Sequence, residues 1–166
     1  MTTPAAGLPF VDAMAQLAAG VAVVTVKDER DDVGNTVTSL LSISVEPPTV
    51  LISLATSAYL TELLLKHDRW AATLLSDGQQ TIASRFATPG RPGARLLLAS
   101  VAHHRGAHSQ ALIVEGGVAA VEAETMTVVP AGDHMLFLAQ VTAVDYVDAT
   151  RPPLTRLRGR YRPVRS

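Results

Sequence analysis

The sequence predicts a mainly β, single-domain protein, an antiparallel barrel of six or more strands with two or three short helices. The chain has 166 residues, the length of one ordinary domain. Its apolar residues are mainly Val, Leu and Ala, and branched side chains such as valine favour strands. Short apolar runs alternate with polar turns, which is typical of antiparallel sheets and unlike alternating βαβ units.

The N-terminal third begins with a helix and continues with three strands. Phe10, Met14 and Leu17 share one helical face between Pro9 and Gly20, which predicts a short amphipathic helix. The strands are predicted at Val21–Val26, Asn35–Val45 and Thr49–Leu54, separated by the charged turn Lys27–Asp32 and by Pro47-Pro48.

The middle third holds two helices, one strand and a loop. Asp77–Gln80 resembles a capping box, because an acceptor side chain is followed three residues later by an amide. The loop is rich in proline and glycine, which interrupt both helices and strands. The predicted elements are a helix capped by Ser57 and running to about Lys66, a strand at Trp70–Leu75, a helix from the box to about Phe86, and a loop at residues 88–94.

The C-terminal third contains the two longest predicted strands, Val118–Val129 and Met135–Val147. Residues Pro130–His134 connect them as a hairpin. A last strand or two follows Pro152-Pro153. No linker or internal repeat interrupts the chain, so residues 1–166 are predicted to form one domain.

Composition excludes several classes of function. The chain has no cysteine, which excludes disulfides, thiolate nucleophiles, iron–sulfur clusters and cysteine-based zinc sites. Its formal net charge of -1 excludes a globally basic nucleic-acid binder. No run of about 18 apolar residues is present, so we expect no membrane span. Met1–Pro9 lacks a basic segment before an apolar core, so we expect no secretory signal and a cytoplasmic protein.

Common catalytic motifs are absent from the sequence, including GxGxxG, GxxxxGK[ST], HExxH and GxSxG. His103, His104 and His108 form the one metal-like cluster. Gly106 and the polar surroundings predict a loop there, with no carboxylate nearby in sequence. We therefore predict no metal site.

Hydroxyl side chains crowd the predicted strand at 35–45. Thr36, Thr38, Ser42 and Ser44 would point to one face and Ser39 to the other. Each buried hydroxyl needs a partner, which a polar ligand on that face would supply. Solvent on an exposed strand explains the pattern equally well. Ser57, at a helix N-terminus, is in the same way either a phosphate contact or only a cap.

The C-terminal segment is strongly basic. Its last 16 residues hold six arginines and no acidic residue. A solvated strand, or one paired across a subunit contact, is the favoured interpretation, because runs of charge are usually solvated faces. An anion or nucleotide-phosphate site is the alternative.

Several segments, in this order, strongly resemble the flavin reductase family. Gly-Asp-His lies between the two longest strands, as the corresponding element does in that family. The resemblance extends over residues 10–163, nearly the whole chain. The segments are Ala18–Thr25, Gly34–Ser39, Ser42–Pro48, Gln79, Arg85–Ala87 and Gly132–His134.

The resemblance implies a split β-barrel homodimer that binds free FAD or FMN and reduces it with NADH, or possibly NADPH. Hydride would pass from nicotinamide C4 to flavin N5, and the reduced flavin would go to a separate flavin-dependent monooxygenase. The alternative is a split barrel that holds a flavin, deazaflavin or haem without turnover. Neither nucleic acid nor a membrane is an expected partner.

The resemblance also implies roles for individual residues. His134 would lie near the nicotinamide and is the one candidate catalytic residue. Arg85 would lie near the flavin phosphate, and Tyr161 would help to close the site. The flavin ring would contact Thr36, Val37, Thr38 and Ser39, and the ribityl chain and phosphate would contact Ser42, Ser44, Thr56 and Ser57.

Overall fold

The computed structural model describes residues 8–164, with side chains from Phe10 onward. The stretch Met1–Gly7, part of the segment predicted not to be a secretory signal, lies outside the described residues. The helices are α1 (Leu8–Met14), α2 (Tyr59–Leu64), α3 (Gln80–Ala87) and α4 (Ala94–Leu97). The strands are β1 (Ala19–Gly20), β2 (Ala22–Lys27), β3 (Asp32–Val37), β4 (Leu40–Val45), β5 (Pro48–Ala55), β6 (Arg69–Leu74), β7 (His103–Arg105), β8 (Leu112–Val114), β9 (Ala119–Ala131), β10 (His134–Val147), β11 (Leu154–Leu157) and β12 (Arg160–Pro163).

A seven-stranded antiparallel sheet dominates the fold, in the order β3-β2-β6-β9-β10-β5-β4. The prediction of a mainly β, antiparallel protein is confirmed. Two small sheets, β1-β11-β12 and β7-β8, flank it. No helix among the described residues is long and apolar enough to cross a membrane.

The two edge strands of this sheet, β3 and β4, are consecutive in the chain. Thr38 and Ser39 alone join them, and such a link spans at most about 11 Å between Cα atoms. In a flat sheet, six interstrand spacings would put the edges about 29 Å apart. The sheet therefore curls, which brings the end of β3 next to the beginning of β4. At this link the Ser53 amide of β5 donates to the Ser39 carbonyl at 3.2 Å, which extends the pairing of β4 with β5.

The prediction of one strand over Asn35–Val45 is therefore wrong. The chain crosses from one edge of the sheet to the other at Thr38–Ser39, and the strand divides there into β3 and β4. The alternation of side chains does not continue through this link, so the hydroxyls of the two halves do not form the single face predicted for them.

Two larger apolar clusters, and a smaller one around Ile113, hold the curled sheet and its helices. The first contains Trp70, Phe137 and Ile52, all fully buried, together with leucines of α2. The second lies under α3 and α4 and contains Phe86, Leu98 and other apolar side chains. Burial of such side chains contributes about 1.5–3 kcal/mol each, which makes these clusters the main source of stability.

Strands β9 and β10, of 13 and 14 residues, form the longest hairpin. Its turn is shorter than predicted, because pairing continues to Ala131 and His134 and leaves Gly132-Asp133 as the loop. Gly132 has a φ of +64°, a conformation that glycine adopts without steric cost. The predicted strands after Pro152-Pro153 are present as the hairpin β11–β12.

Three local predictions need correction. The capping box uses Ser76 and Gln79, one residue earlier than predicted, and a 3₁₀ turn at Asp77–Gln79 precedes α3. Helix α1 ends at Met14 although an apolar pattern continues to Leu17. The histidine-rich stretch is not all loop, because residues 103–105 pair with β8.

Candidate functional site

The link between β3 and β4 orients the predicted flavin-ring segment. Thr36 donates its hydroxyl to a carbonyl of α3 at 2.7 Å, and Ser39 donates to the Ser53 carbonyl at 2.6 Å. Val37 is buried in the first apolar cluster. Three of the four side chains in this segment are thus engaged inside the protein. Thr38 is the exposed one, so a ligand from solvent meets Thr38 and the backbone.

The two serines of β4 lie on the other side of the link. Ser42 is exposed and Ser44 is half-buried. The pairing of β4 with β5 has an irregularity between them, which alters the register of the strand there. Neither serine is aligned with Thr36, in contrast to the predicted common face.

The Gly-Asp-His turn lies against the Thr56-Ser57 turn. His134 is paired with Ala55 across β10 and β5, and the Thr56 amide donates to the Asp133 carbonyl at 2.9 Å. Thr56 follows the last residue of β5, and Asp133 precedes the first residue of β10, which is paired with β5. These two residues, 77 positions apart in sequence, are therefore neighbours.

The ring of His134 is hydrogen-bonded to the side chain of its neighbour Asp133. His134 Nδ1 lies 2.7 Å from the Asp133 carboxylate, and this hydrogen bond lowers the pKa of Asp133 below its usual 3.8. A carboxylate only accepts hydrogen bonds, so Nδ1 carries the proton and donates. With 44% of its side chain exposed, His134 can present Nε2 to a ligand.

Ser57 does not cap helix α2. The N-cap is Ala58, in an extended conformation and without a side-chain hydrogen bond, and the helix has only six residues. Ser57 is exposed in the turn before the helix. The capping prediction is wrong, while the Ser57 hydroxyl stays accessible beside the Gly-Asp-His turn.

A cavity of about 350 Å³ opens next to these segments. That volume falls within the roughly 300–1,000 Å³ of small-molecule sites. It reaches Asn35, which precedes Thr36, and Ala58, which follows Ser57. The remaining lining comes from the turn at 28–31, from Val33 and Gly34, from Tyr59 and from the loop at 90–93.

Arg91 fixes the loop that forms one wall of this cavity. Its Nε and Nη2 donate to the Gly34 carbonyl at 3.0 and 2.8 Å, and its Nη1 donates to the Thr88 carbonyl at 3.2 Å. Arg91 therefore bridges the loop to β3. Sequence reasoning predicted this loop but not its attachment, because the partner carbonyl is 57 positions away.

The buried carboxylate of Asp32 holds the beginning of β3, the strand that Arg91 joins to the loop. Asp32 is fully buried and accepts from Arg95 Nε at 2.6 Å and from Arg105 Nη2 at 2.8 Å. Burial opposes ionisation, but the hydrogen bonds from Arg105 and Arg95 outweigh it and lower the pKa of Asp32. The beginning of β3 is thereby held to both α4 and β7.

Comparison with known proteins matches residues 14–165 to the flavin reductase like domain. The chain belongs to the flavin reductase-like family. The family resemblance predicted from the sequence is thus confirmed over nearly the whole chain.

Individual relatives agree with the family match. The NADH-dependent FMN reductase AsuE2 of Streptomyces nodosus subsp. asukaensis is 36% identical over 155 residues, 92% of this chain and 82% of the relative. The solved structure of the NADH:FAD oxidoreductase SgcE6 of Streptomyces globisporus has a TM-score of 0.89 at 27% identity, covering 100% of this chain and 98% of that one. The styrene monooxygenase flavin reductase of Pseudomonas putida has a TM-score of 0.80 at 32% identity, covering 95% and 97%.

In this flavin reductase-like chain none of the predicted site residues lines the 350 Å³ cavity, which reaches only the sequence neighbours of Thr36 and Ser57. Arg85 and Tyr161 lie on elements that do not border it. Arg85 is exposed on α3 and makes a weak contact, 3.4 Å, with the Leu97 carbonyl. Tyr161 packs against the second apolar cluster, with the Arg156 guanidinium 5.6 Å from its ring centre. Neither is among the residues that line the 350 Å³ cavity.

The three other histidines predicted as a weak cluster are dispersed. His104 contacts Asp145 at 2.8 Å and Glu115 at 3.3 Å, and His103 contacts a backbone carbonyl. His108 is exposed. Within residues 8–164 no group of three or more histidine, aspartate or glutamate side chains is arranged to hold a metal ion.

Proposed function

We propose that the chain is an NADH-dependent reductase of free FMN or FAD, which supplies reduced flavin to a separate flavin-dependent monooxygenase. The single observation that carries this proposal is the Thr56–Asp133 hydrogen bond. It puts the segment expected to hold the flavin chain beside the histidine expected to hold the nicotinamide. AsuE2 is named as an NADH-dependent FMN reductase and SgcE6 as an NADH:FAD oxidoreductase, and the styrene relative serves a monooxygenase.

The residues present fit a flavin. The cavity is large enough for part of the molecule, and β3 is an edge strand whose unpaired backbone groups can bind a ring. When bound, the flavin accepts a hydride from NADH, so the protein needs no acid–base residues of its own for that step. Its task is to hold the two rings about 3–3.5 Å apart.

His134 is proposed to orient the nicotinamide. The Asp133 carboxylate holds Nδ1–H, which leaves Nε2 as an acceptor for the carboxamide of the nicotinamide. The turn itself is held in place by Thr56. The role of the histidine is therefore to position the substrate.

The assay that tests this function measures steady-state NADH oxidation with FMN, FAD or riboflavin as acceptor, and NADPH in place of NADH. We expect turnover that depends on added flavin and a protein that is largely colourless after purification. A permanently coloured protein without turnover would instead indicate the alternative, a split barrel that stores its ligand. NADH is the expected donor, as for AsuE2 and SgcE6. Because the reaction consumes NADH, we also propose a cytoplasmic location.

We propose that the curled sheet is a split β-barrel that assembles as a homodimer. On the edge strand β4, Leu41, Ile43 and Val45 are 56%, 51% and 87% exposed, which leaves a row of apolar side chains in solvent. Apolar surface of this kind is typical of permanent subunit contacts. Light scattering at micromolar concentration should give twice the 17.5 kDa chain mass. A stable monomer would contradict the assembly.

Ser57→Phe should weaken binding of FMN and FAD several-fold more than binding of riboflavin, which lacks the phosphate expected at this turn. The measurement is the dissociation constant of each oxidised flavin by fluorescence titration. Ser100→Phe is a matched control, because Ser100 is also exposed but lies after α4 and not in the turn before α2. Equal losses for all three flavins in Ser57→Phe would remove Ser57 from the phosphate site.

A further inference from the structure

The C-terminal hairpin β11–β12 carries a cluster of arginines that no described carboxylate neutralises. Elsewhere among the described residues four arginines pair with an acidic side chain (Arg69, Arg95, Arg105 and Arg151), whereas Arg30, Arg85 and Arg91 stand singly without such a partner. The hairpin arginines are Arg156, Arg158, Arg160 and Arg162, and none of them forms an ion pair within residues 8–164.

Two of these arginines are held in place by uncharged groups. The Arg156 guanidinium lies over the ring of Tyr161. Arg158 donates from Nε to the Gln16 side-chain oxygen at 2.8 Å, and its backbone amide donates to the Ala15 carbonyl at 2.9 Å. The terminal nitrogens of both guanidinium groups make no hydrogen bond to any described residue. Each guanidinium thus has one contact that orients it, while its terminal donors stay available.

Both side chains line a second cavity, of about 140 Å³. Thr38 lines it too, as do Gly159 and the apolar side chains Met14 and Leu17. The volume is well below the roughly 300–1,000 Å³ of a pocket that encloses a whole small ligand, so it suits one charged portion of a larger molecule. Thr38 is the exposed residue of the segment expected to contact the flavin ring. The charged group in this cavity is therefore expected to be part of a ligand that binds at or beside the flavin ring.

We propose that Arg156, Arg158 and Thr38 form a subsite for the diphosphate of a dinucleotide substrate. This inference rests on the proposed flavin reductase function, in which both NADH and FAD carry a diphosphate. Guanidinium groups bind phosphate oxygens through paired, charge-assisted hydrogen bonds. Met14 and Leu17 supply an apolar wall against which the rest of the nucleotide can pack.

The other two arginines fit the solvated face favoured from the sequence. Arg160 is paired with Leu157 and Arg162 with Thr155, whereas Arg156 is paired with Tyr161. Residues directly opposite each other share a face, and neighbours along a strand alternate. Arg160 and Arg162 therefore lie on the face opposite to Arg156, and they provide a control with the same change of charge.

The test compares Arg156→Gln/Arg158→Gln with Arg160→Gln/Arg162→Gln by calorimetric titration of ADP-ribose, FAD and FMN into the full chain. ADP-ribose carries the diphosphate of NADH without the nicotinamide. We expect the first pair of substitutions to weaken binding of a diphosphate ligand at least about tenfold, because charge-assisted hydrogen bonds are lost. The second pair should leave the dissociation constant within about twofold of that of the unmodified chain. Binding of FMN, which has no diphosphate, should be unchanged in both.

The ligand whose binding is weakened shows whether NADH or FAD binds at the subsite. Weaker ADP-ribose binding, with a raised KM for NADH when FMN is the acceptor, assigns it to NADH. Weaker FAD binding with normal ADP-ribose binding assigns it to FAD. Equal effects of the two pairs, no effect of the first pair, or no measurable binding of either diphosphate by the unmodified chain overturns the proposal.

Two further measurements keep the outcomes separate. Thermal unfolding of both double variants checks that each is folded before its titration is used. NADH-dependent reduction of FMN by the unmodified chain is measured in parallel. If that reduction proceeds while the two pairs behave alike, the subsite is wrong and the proposed function stands. If no flavin is reduced, the proposed function fails by itself.

Discussion

Replacing Asp32 with asparagine is expected to lower the free energy of unfolding by about 3 kcal/mol. The change removes the acceptor charge from Arg95 and Arg105 and leaves a buried amide in its place. It should also release the beginning of β3 from α4 and β7. Chemical denaturation at neutral pH measures the loss. Glu124→Gln is the matched control, because its pair with Arg69 is largely exposed and is expected to contribute less than about 1 kcal/mol.

The effect of Asp32→Asn should depend on pH with a definite sign. The pKa of Asp32 is lower in the folded chain than its usual 3.8, so the folded state favours the ionised carboxylate. The resulting stability is fully present above pH 3.8 and is lost as the pH falls through the folded pKa. The difference between the unmodified chain and Asp32→Asn should therefore shrink below that pH. A constant difference from pH 7 to acid would contradict the role of the charge.

Replacing His134 with asparagine is expected to slow hydride transfer, or to lower the affinity for NADH, by about tenfold. This corresponds to about 1.4 kcal/mol of transition-state stabilisation. Asparagine is a polar side chain of smaller size at the first, half-buried residue of β10, so the hairpin and flavin binding should be preserved. Stopped-flow reduction of bound flavin measures the hydride step before the reduced flavin leaves. Titration over NADH concentration separates a lower affinity from a lower rate.

His108→Asn is the control for this variant, because His108 is also exposed but lies in the loop between β7 and β8. Its reduction rate should equal that of the unmodified chain. If His134→Asn likewise reduces flavin at the normal rate at every NADH concentration, His134 only caps its turn. The proposed nicotinamide contact would then have to come from another residue.

The sequence was sufficient for most strands but not for how they join. Valine-rich Ala22–Val26 and the long hairpin β9–β10 follow directly from apolar pattern and turn residues. The break at Thr38–Ser39 does not, because neither residue is a glycine or proline that would indicate a turn. The break arises where the chain leaves β3 and Ser39 bonds to Ser53 of β5, which begins the pairing of β4 with β5 at the other side of the sheet. Local propensity contains no information about that contact.

The candidate site, too, could be predicted from the sequence only in part. The Gly-Asp-His motif could be read from the sequence as a turn, whereas its contact with Thr56 depends on the pairing of β10 with β5. The binding of Asp32 by Arg105 joins residues 73 positions apart, and a sequence without its fold gives no reason to connect them. Ser57 was misplaced as a cap because its position one residue before Ala58 fits the same local pattern.

Anaerobic reduction of excess free FMN tests the central claim most directly. A trace of the protein is mixed with NADH and a large excess of FMN, and the loss of oxidised-flavin absorbance is followed to completion. A flavin reductase that releases its product should reduce many flavins per chain, with one NADH consumed for each. Reduction that stops at no more than one flavin per chain, or that proceeds equally fast without the protein, would contradict the account.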